Sequence, residues 1–171
     1  IPDSEDQIWY NPDGTATAKA KYAGYTQVFG VAKNADGSGG HTTLTTIPPD
    51  SLNSPKSLPS WGGSLFVFFD NPNANNAPPS WYSRESLNSD GKDHMVTWKI
   101  IGNTNKPGNV IGNYVIAFED LEGLGDKDYQ DLVVEVSGVY PIPEPGTLIL
   151  LGSGLIGIAG YGKLVISRRK R

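Results

Sequence analysis

Six carboxylates crowd into thirteen positions of this 171-residue chain: Glu119, Asp120, Glu122, Asp126, Asp128 and Asp131. Ionised carboxylates held together repel one another and raise each other's pKa unless a cation neutralises them, and a hard divalent ion taking about 6 to 8 oxygens is the usual partner. Calcium is therefore the expected cofactor. One ion would be held by Asp126, Asp128 and Asp131, with help from Glu119 and Asp120. Gly123 and Gly125 permit the tight backbone path that lets side chains and carbonyls converge on one point. The competing reading is a solvated acidic loop, since charge runs usually are that. A long connection without secondary structure of its own is uncommon unless it has a task, and this favours the metal.

The Asp126-x-Asp128 pair has the opening of an EF-hand loop. The third Asp, however, stands at Asp131 rather than two positions on, and a strand-like run follows instead of a helix, so the segment is not an EF-hand. Upstream, Asp90-Gly91-Lys92-Asp93-His94 places Asp93 at a strand entrance, where it either adds a metal ligand or forms a turn. His94 is read as a hydrogen-bonded structural residue, because calcium takes oxygen. The chain has two histidines, His41 and His94, and no Cys. It has neither a G-x-S-x-G nor an H-E-x-x-H pattern, so nucleophilic and zinc-hydrolase constellations are missing. Two carboxylates alone can serve a glycosidase, and their spacing is not legible in a sequence. The expectation is a protein that is not an enzyme, with no catalytic residue assigned.

These acids need strands to position them. Gly and Pro, 21 and 13 residues, are the two poorest helix formers, and their number disfavours an all-helical bundle. Short apolar or alternating runs recur instead at Thr26 to Val31, Thr42 to Ile47, Ser64 to Phe69, His94 to Ile101, Tyr114 to Phe118 and Leu132 to Val136. Gly-, Pro-, Asn- and Asp-containing turns bound them. An all-β, antiparallel sandwich or jelly roll over residues 1–140 is the expected fold. Three faces are expected in its core: Val96, Trp98 and Ile100; Tyr114, Ile116 and Phe118; and Leu132, Val134 and Val136. Thr15 to Tyr25 is a further edge-strand candidate, and Asp50 to Ser60 and Asp70 to Ser80 read as surface loops. Trp61 and Trp81 lie in or near loops, where an exposed indole stacks on sugar rings and a buried one anchors the loop.

The net charge of −4 hides an asymmetry. Residues 1–140 carry nine Lys/Arg against seventeen Asp/Glu, whereas residues 141–171 carry five against one. An acidic body argues against nucleic acid, whose binding runs on phosphate neutralisation. The tail has three parts. Residues 141–146 are Pro-rich and cannot be helical. Residues 147–166 form an apolar run with one charge, Lys163, the length of a transmembrane-type helix. Residues 167–171 end in Arg168, Arg169, Lys170 and Arg171, which should stay cytoplasmic and place the body across the membrane. On a helix, Gly146, Ser153, Gly157 and Gly160 would fall within about 60° of one another, a small-residue stripe suited to helix packing.

Pro143-Glu144-Pro145, followed by the Gly-rich apolar run and the basic end, resembles the PEP-CTERM sorting signal of exported bacterial proteins. The resemblance covers about the last 30 residues. It implies a Gram-negative exporter, an exosortase that recognises the tripeptide and processes the tail, and association with extracellular polysaccharide or biofilm matrix. It also implies a leader already removed ahead of Ile1, and anchoring, transient or permanent, in the inner membrane. The stretch from Phe118 to Val133 likewise resembles a recurrent motif of exported β-sandwich domains of uncharacterised function, whose acids are presumed calcium ligands. The leading expectation is a structural protein of the cell surface or extracellular matrix. The alternatives are a carbohydrate-binding module of the matrix and a self-assembling filament subunit, a homo-oligomer packed through its C-terminal helix.

Overall fold

The structure is a computed structural model that describes residues 1–10, 13–72, 81–102 and 110–143. Its alternating runs pair into two antiparallel sheets. The first runs, in spatial order, β11 (Tyr140–Ile142), β1 (Ile8–Tyr10), β6 (Leu65–Asn71), β3 (Gln27–Lys33) and β4 (His41–Ile47), with β7 (Trp81–Tyr82) also on β6. The second runs β5 (Lys56–Ser57), β2 (Thr15–Lys21), β10 (Leu132–Ser137), β9 (Tyr114–Phe118) and β8 (Met95–Lys99). The all-β sandwich expected from the turn spacing is thus present.

Successive side chains of a strand point to opposite faces, so alternate residues of both sheets meet between them. Trp9, Phe29, Val31, Phe66 and Phe68 of the first sheet pack against Met95, Ile116, Phe118, Leu132, Val134 and Val136 of the second. Each such side chain fully removed from water contributes about 1.5–3 kcal/mol. Strand β6 is buried on both faces, because Val67 and Phe69 pack outward under Tyr82 and Leu87. That explains its unbroken apolar sequence, which alternation alone does not predict.

Two of the three expected core faces are inside: Tyr114, Ile116 and Phe118, and Leu132, Val134 and Val136. The third is inverted. In β8, Met95 and Thr97 are buried while Trp98 is 53% exposed, with Val96 and Ile100 only half-buried. A strand has just two faces, and Met95 opposite Phe118 takes the inner one, which turns Val96, Trp98 and Ile100 outward at the edge of the sheet. β11 continues the body through Pro141 and Ile142, where a linker was expected; Pro is tolerated there because β11 is an edge strand. Among the described residues no helix is long and apolar enough to cross a membrane. The apolar run 147–166, the basic residues 167–171, Glu144, Pro145 and the stripe Gly146, Ser153, Gly157 and Gly160 lie outside the described residues.

Strand directions decide which residues share an end of the sandwich. β9 leaves and β10 enters where Phe118 pairs with Leu132, and β8 begins beside them with Met95 opposite Phe118. On the facing sheet, β3 begins and β6 ends at this level, with Val28 opposite Asn71. The Gln27 amide of β3 reaches across to Asp120 beyond β9, with Nε2 donating to Oδ2 at 2.6 Å, and so ties the two sheets together there.

Candidate metal centre

The acidic loop, residues 119–131, occupies that end, and its backbone path is unusual. Gly123, Leu124, Gly125, Lys127 and Tyr129 all have positive φ, at 77°, 71°, 34°, 61° and 50°. Side-chain-bearing residues enter this region at a cost, so the surroundings must hold them there. Asp90 supplies much of that hold: its Oδ2 accepts from the Gly123 amide at 2.9 Å and faces His94 Nε2 at 3.0 Å. Lys92 Nζ donates to the Gly123 carbonyl, and the Tyr129 hydroxyl donates to the Asp93 carbonyl. At Gly125 a Cβ would stand 2.7 Å from Glu119 Oε1, so only glycine leaves room for the carboxylate beneath it.

Glu119 follows β9 directly and is fully buried. Neither of its oxygens makes a hydrogen bond of normal geometry. Around it the acids form two groups. Glu119, Asp126 and Asp128 bring one oxygen each within 4.8 Å of one another, and Glu119, Asp120 and Asp131 do the same. Asp126 and Asp128 are exposed, whereas Asp120 is buried and Asp131 half-buried. Both oxygens of Asp128 accept from Gln130, one from its backbone N–H and one from its side-chain amide. Asp131 Oδ2 accepts from the Asp120 amide at 2.9 Å. Two oxygens on opposite sides of a calcium ion stand roughly 4.6–5.2 Å apart, so both groups have the span this ion needs.

Electrostatics follow from burial and crowding. Glu119 is pushed up, first by loss of water and then by Asp131, against a downward pull from the Tyr129 backbone N–H. Burial and the adjacent Asp131 raise Asp120 to about 6. Asp70, fully buried at the end of β6, is held well above the carboxylate range by burial and by repulsion from Asp120 and Asp131. Asp90 is lowered despite its burial, because His94, Gly123 and Lys92 all bond its charged form.

The other residues singled out in the sequence take different places. Asp93 is in neither group: its Oδ1 accepts from the Met95 amide at 3.1 Å, a turn-forming bond, and its electrostatic neighbours include Asp3 and Asp6. His94 is buried, with Nδ1 2.8 Å from the Glu119 carbonyl, a structural residue as expected. Trp81 is buried rather than displayed. Its indole N–H donates to the Asp120 carbonyl, and His94 stacks on its ring at 3.7 Å, which closes that face to a sugar. Trp61 is half-buried and packs edge-on to Phe66. Pro143 follows β11 directly. Asp70 and Gln27 have no signal in the sequence as site residues, since each stands in an otherwise apolar strand, whereas Asp90 stands in the segment singled out for Asp93.

A carboxylate beyond the loop sets a pH dependence. Asp6, just ahead of β1, is raised by burial to about 7, and burial likewise raises Asp93 to about 6. A carboxyl whose folded pKa is raised stabilises the fold fully below its unfolded pKa, near 4, and that contribution is lost as pH rises through the folded value. In chelator, the protein is therefore expected to melt at a higher temperature at pH 5 than at pH 7.5. His41, lowered by burial, opposes this trend below its ordinary value. Melting curves of wild type and Asp6→Asn isolate the Asp6 share, because the variant should show a shallower fall; equal slopes would remove Asp6 as a contributor.

Comparison with known families divides the chain near the end of the sandwich. Residues 63–139 match the family model of a domain of unknown function (DUF4114), a segment that spans β6 to β10 and contains the whole acidic loop. No curated protein matches the chain. Residues 141–170 match the PEP-CTERM protein-sorting motif, a signal associated with exosortase processing. The chain thus carries, behind a domain that matches DUF4114, a PEP-CTERM sorting motif, the mark of an exported protein.

Proposed function

We propose that this exported protein is a non-enzymatic, structural component of the cell surface or extracellular matrix whose sandwich is closed at one end by bound calcium. The observation that carries the reading is Glu119, a fully buried carboxylate without a hydrogen bond of normal geometry, set among Asp120, Asp126, Asp128 and Asp131. A buried charge costs several kcal/mol unless it is paired or coordinates a metal, and here the neighbours are more carboxylates. A hard cation resolves the desolvation and the repulsion together. The ion would fasten the loop to β9, through Glu119 and Asp120, and to the entrance of β10, through Asp131. An exported protein meets calcium outside the cell, so the body would set firmly after passage. The tail, processed by an exosortase-type enzyme, would hold the body at the membrane on the way.

Melting of the full chain in detergent tests this reading. Binding to the folded state alone adds RT ln(1 + [L]/Kd), about 2.7 kcal/mol at a hundredfold excess over Kd. Chelator should lower the melting temperature of wild type. In an Asp126→Asn, Asp128→Asn double variant the response should shrink, because two anionic ligands are replaced by neutral groups of similar shape. Equal melting of wild type in calcium and in chelator would leave the acids as a solvated loop.

A further inference from the structure

Five carboxylates around one ion would all lie close to one another, and these do not. They separate into an outer group, Glu119, Asp126 and Asp128, and an inner group, Glu119, Asp120 and Asp131, with Glu119 in both. The outer group is exposed apart from Glu119, whereas in the inner one Asp120 is buried, bound to Gln27 of the facing sheet, and Asp131 is half-buried. Both Glu119 oxygens are buried, and neither makes a hydrogen bond of normal geometry.

A second observation stands on the inner side, from strands remote in sequence. Asp70 lies on the inward face of β6, in step with Phe66 and Phe68, fully buried, with neither oxygen hydrogen-bonded. Asp120 and Asp131 are near enough to repel it. Gln27, on the adjacent strand β3, is also fully buried; its Nε2 is bound to Asp120, which leaves its Oε1 without a partner. Register places Asp70 opposite Phe29, so Gln27 is its diagonal neighbour across the strand pair. Lys21 is near, but its ammonium donates to the Ala23 carbonyl and is the weakest influence on Asp70. Beside the inner group, then, Asp70 and the Gln27 Oε1 are buried oxygens with no donor, and each costs free energy if it stays unpaired.

We propose that the acidic end holds two divalent cations, bridged by the Glu119 carboxylate. The outer ion takes Asp126 and Asp128, and water completes its shell. The inner ion takes Asp120, Asp131 and the Gln27 carbonyl oxygen. Asp70 stands outside the 4.8 Å group, as the buried counter-charge behind that ion. The inner ion joins the two sheets, since Gln27 and Asp70 belong to one and the loop issues from the other. The outer ion fastens only the loop. This inference rests on the calcium reading above and adds a second ion and two new residues to it.

Calcium titration of the full chain in detergent, with stoichiometry read by flow dialysis, separates the two claims. Two ions per chain are expected for wild type, and one each for the Asp126→Asn, Asp128→Asn variant and for Asp70→Asn. The Asp70 variant replaces a buried carboxyl that has no hydrogen-bond partner by a neutral group of the same shape, so in chelator it should melt no lower than wild type, which guards against misreading an unfolded protein. One ion in wild type would overturn the second site and leave the calcium reading standing. None would overturn both, and two ions retained in Asp70→Asn would overturn the inner assignment.

Discussion

Replacing Glu119 by Gln is expected to raise the melting temperature in chelator and to lower it in calcium. Without a cation, the native carboxylate is buried, lacks a hydrogen bond of normal geometry and is surrounded by Asp120, Asp126, Asp128 and Asp131. Gln has nearly the same shape, carries no charge and brings two N–H donors toward the neighbouring carboxylates. An unsatisfied buried polar group costs about 1–3 kcal/mol, and more when charged. At roughly 2–4 °C per kcal/mol for a chain of this size, a rise of several degrees is expected. With calcium in excess the sign inverts. Gln offers one neutral oxygen where the carboxylate offered two charged ones, and most of the ~2.7 kcal/mol from ligand binding disappears. Paired melting curves, with calcium and with chelator, measure both. A variant that moves in the same direction under both conditions would show that Glu119 matters for packing and not for an ion.

Trp9→Ala should be the most destabilising single change in the core. The indole has no exposed surface and contacts Phe68 edge-on at 5.3 Å and Tyr114 at 5.5 Å, so it bridges the sheets from within. Removing a buried Trp costs about 3–5 kcal/mol, a transfer loss plus a cavity that the sheets only partly close. Against a net stability of about 5–15 kcal/mol for a domain, that moves the denaturant midpoint well down. Trp9→Phe should cost much less, because the Trp9 N–H has no hydrogen-bond partner to lose. Urea unfolding measures both variants, and a loss below ~1 kcal/mol for the alanine would mean that the two sheets do not meet at Trp9 as described.

Strands β9 and β10 were legible because their alternation is strict and both bury one face: Tyr114, Ile116 and Phe118, then Leu132, Val134 and Val136. The acidic loop was legible because its charges are contiguous, and the tail because its motif, apolar run and basic end follow in order, an arrangement the sorting-motif match bears out. β8 was misread. Val96 and Trp98 are its larger apolar residues on one face, yet Met95 and Thr97 hold the inner one, and at an edge strand a large side chain can lie outward without breaking the sheet. The short strands β1, β5 and β7 escaped notice because two or three residues carry no period; partners in other strands define them.

By itself the sequence determined the local chemistry: the all-β class, the acidic loop between two strands, the export signal and the absence of thiol chemistry. Only the tertiary structure decided how that chemistry is assembled. Gln27 and Asp120 are 93 positions apart and meet at 2.6 Å, because β3 begins at the same end of the sandwich where β9 leaves the facing sheet. Asp70 closes an apolar strand and reads as the start of a turn until β6 is seen to carry it inward, beside Gln27 and toward Asp120. Contiguous acids also told nothing of their division about Glu119, since that depends on the positive-φ path from Gly123 to Tyr129, which Asp90, Lys92 and the Asp93 carbonyl hold from a different part of the chain. Residue types and neighbours are written along the chain, whereas burial, register and the pairing of remote oxygens exist only once the sheets have packed.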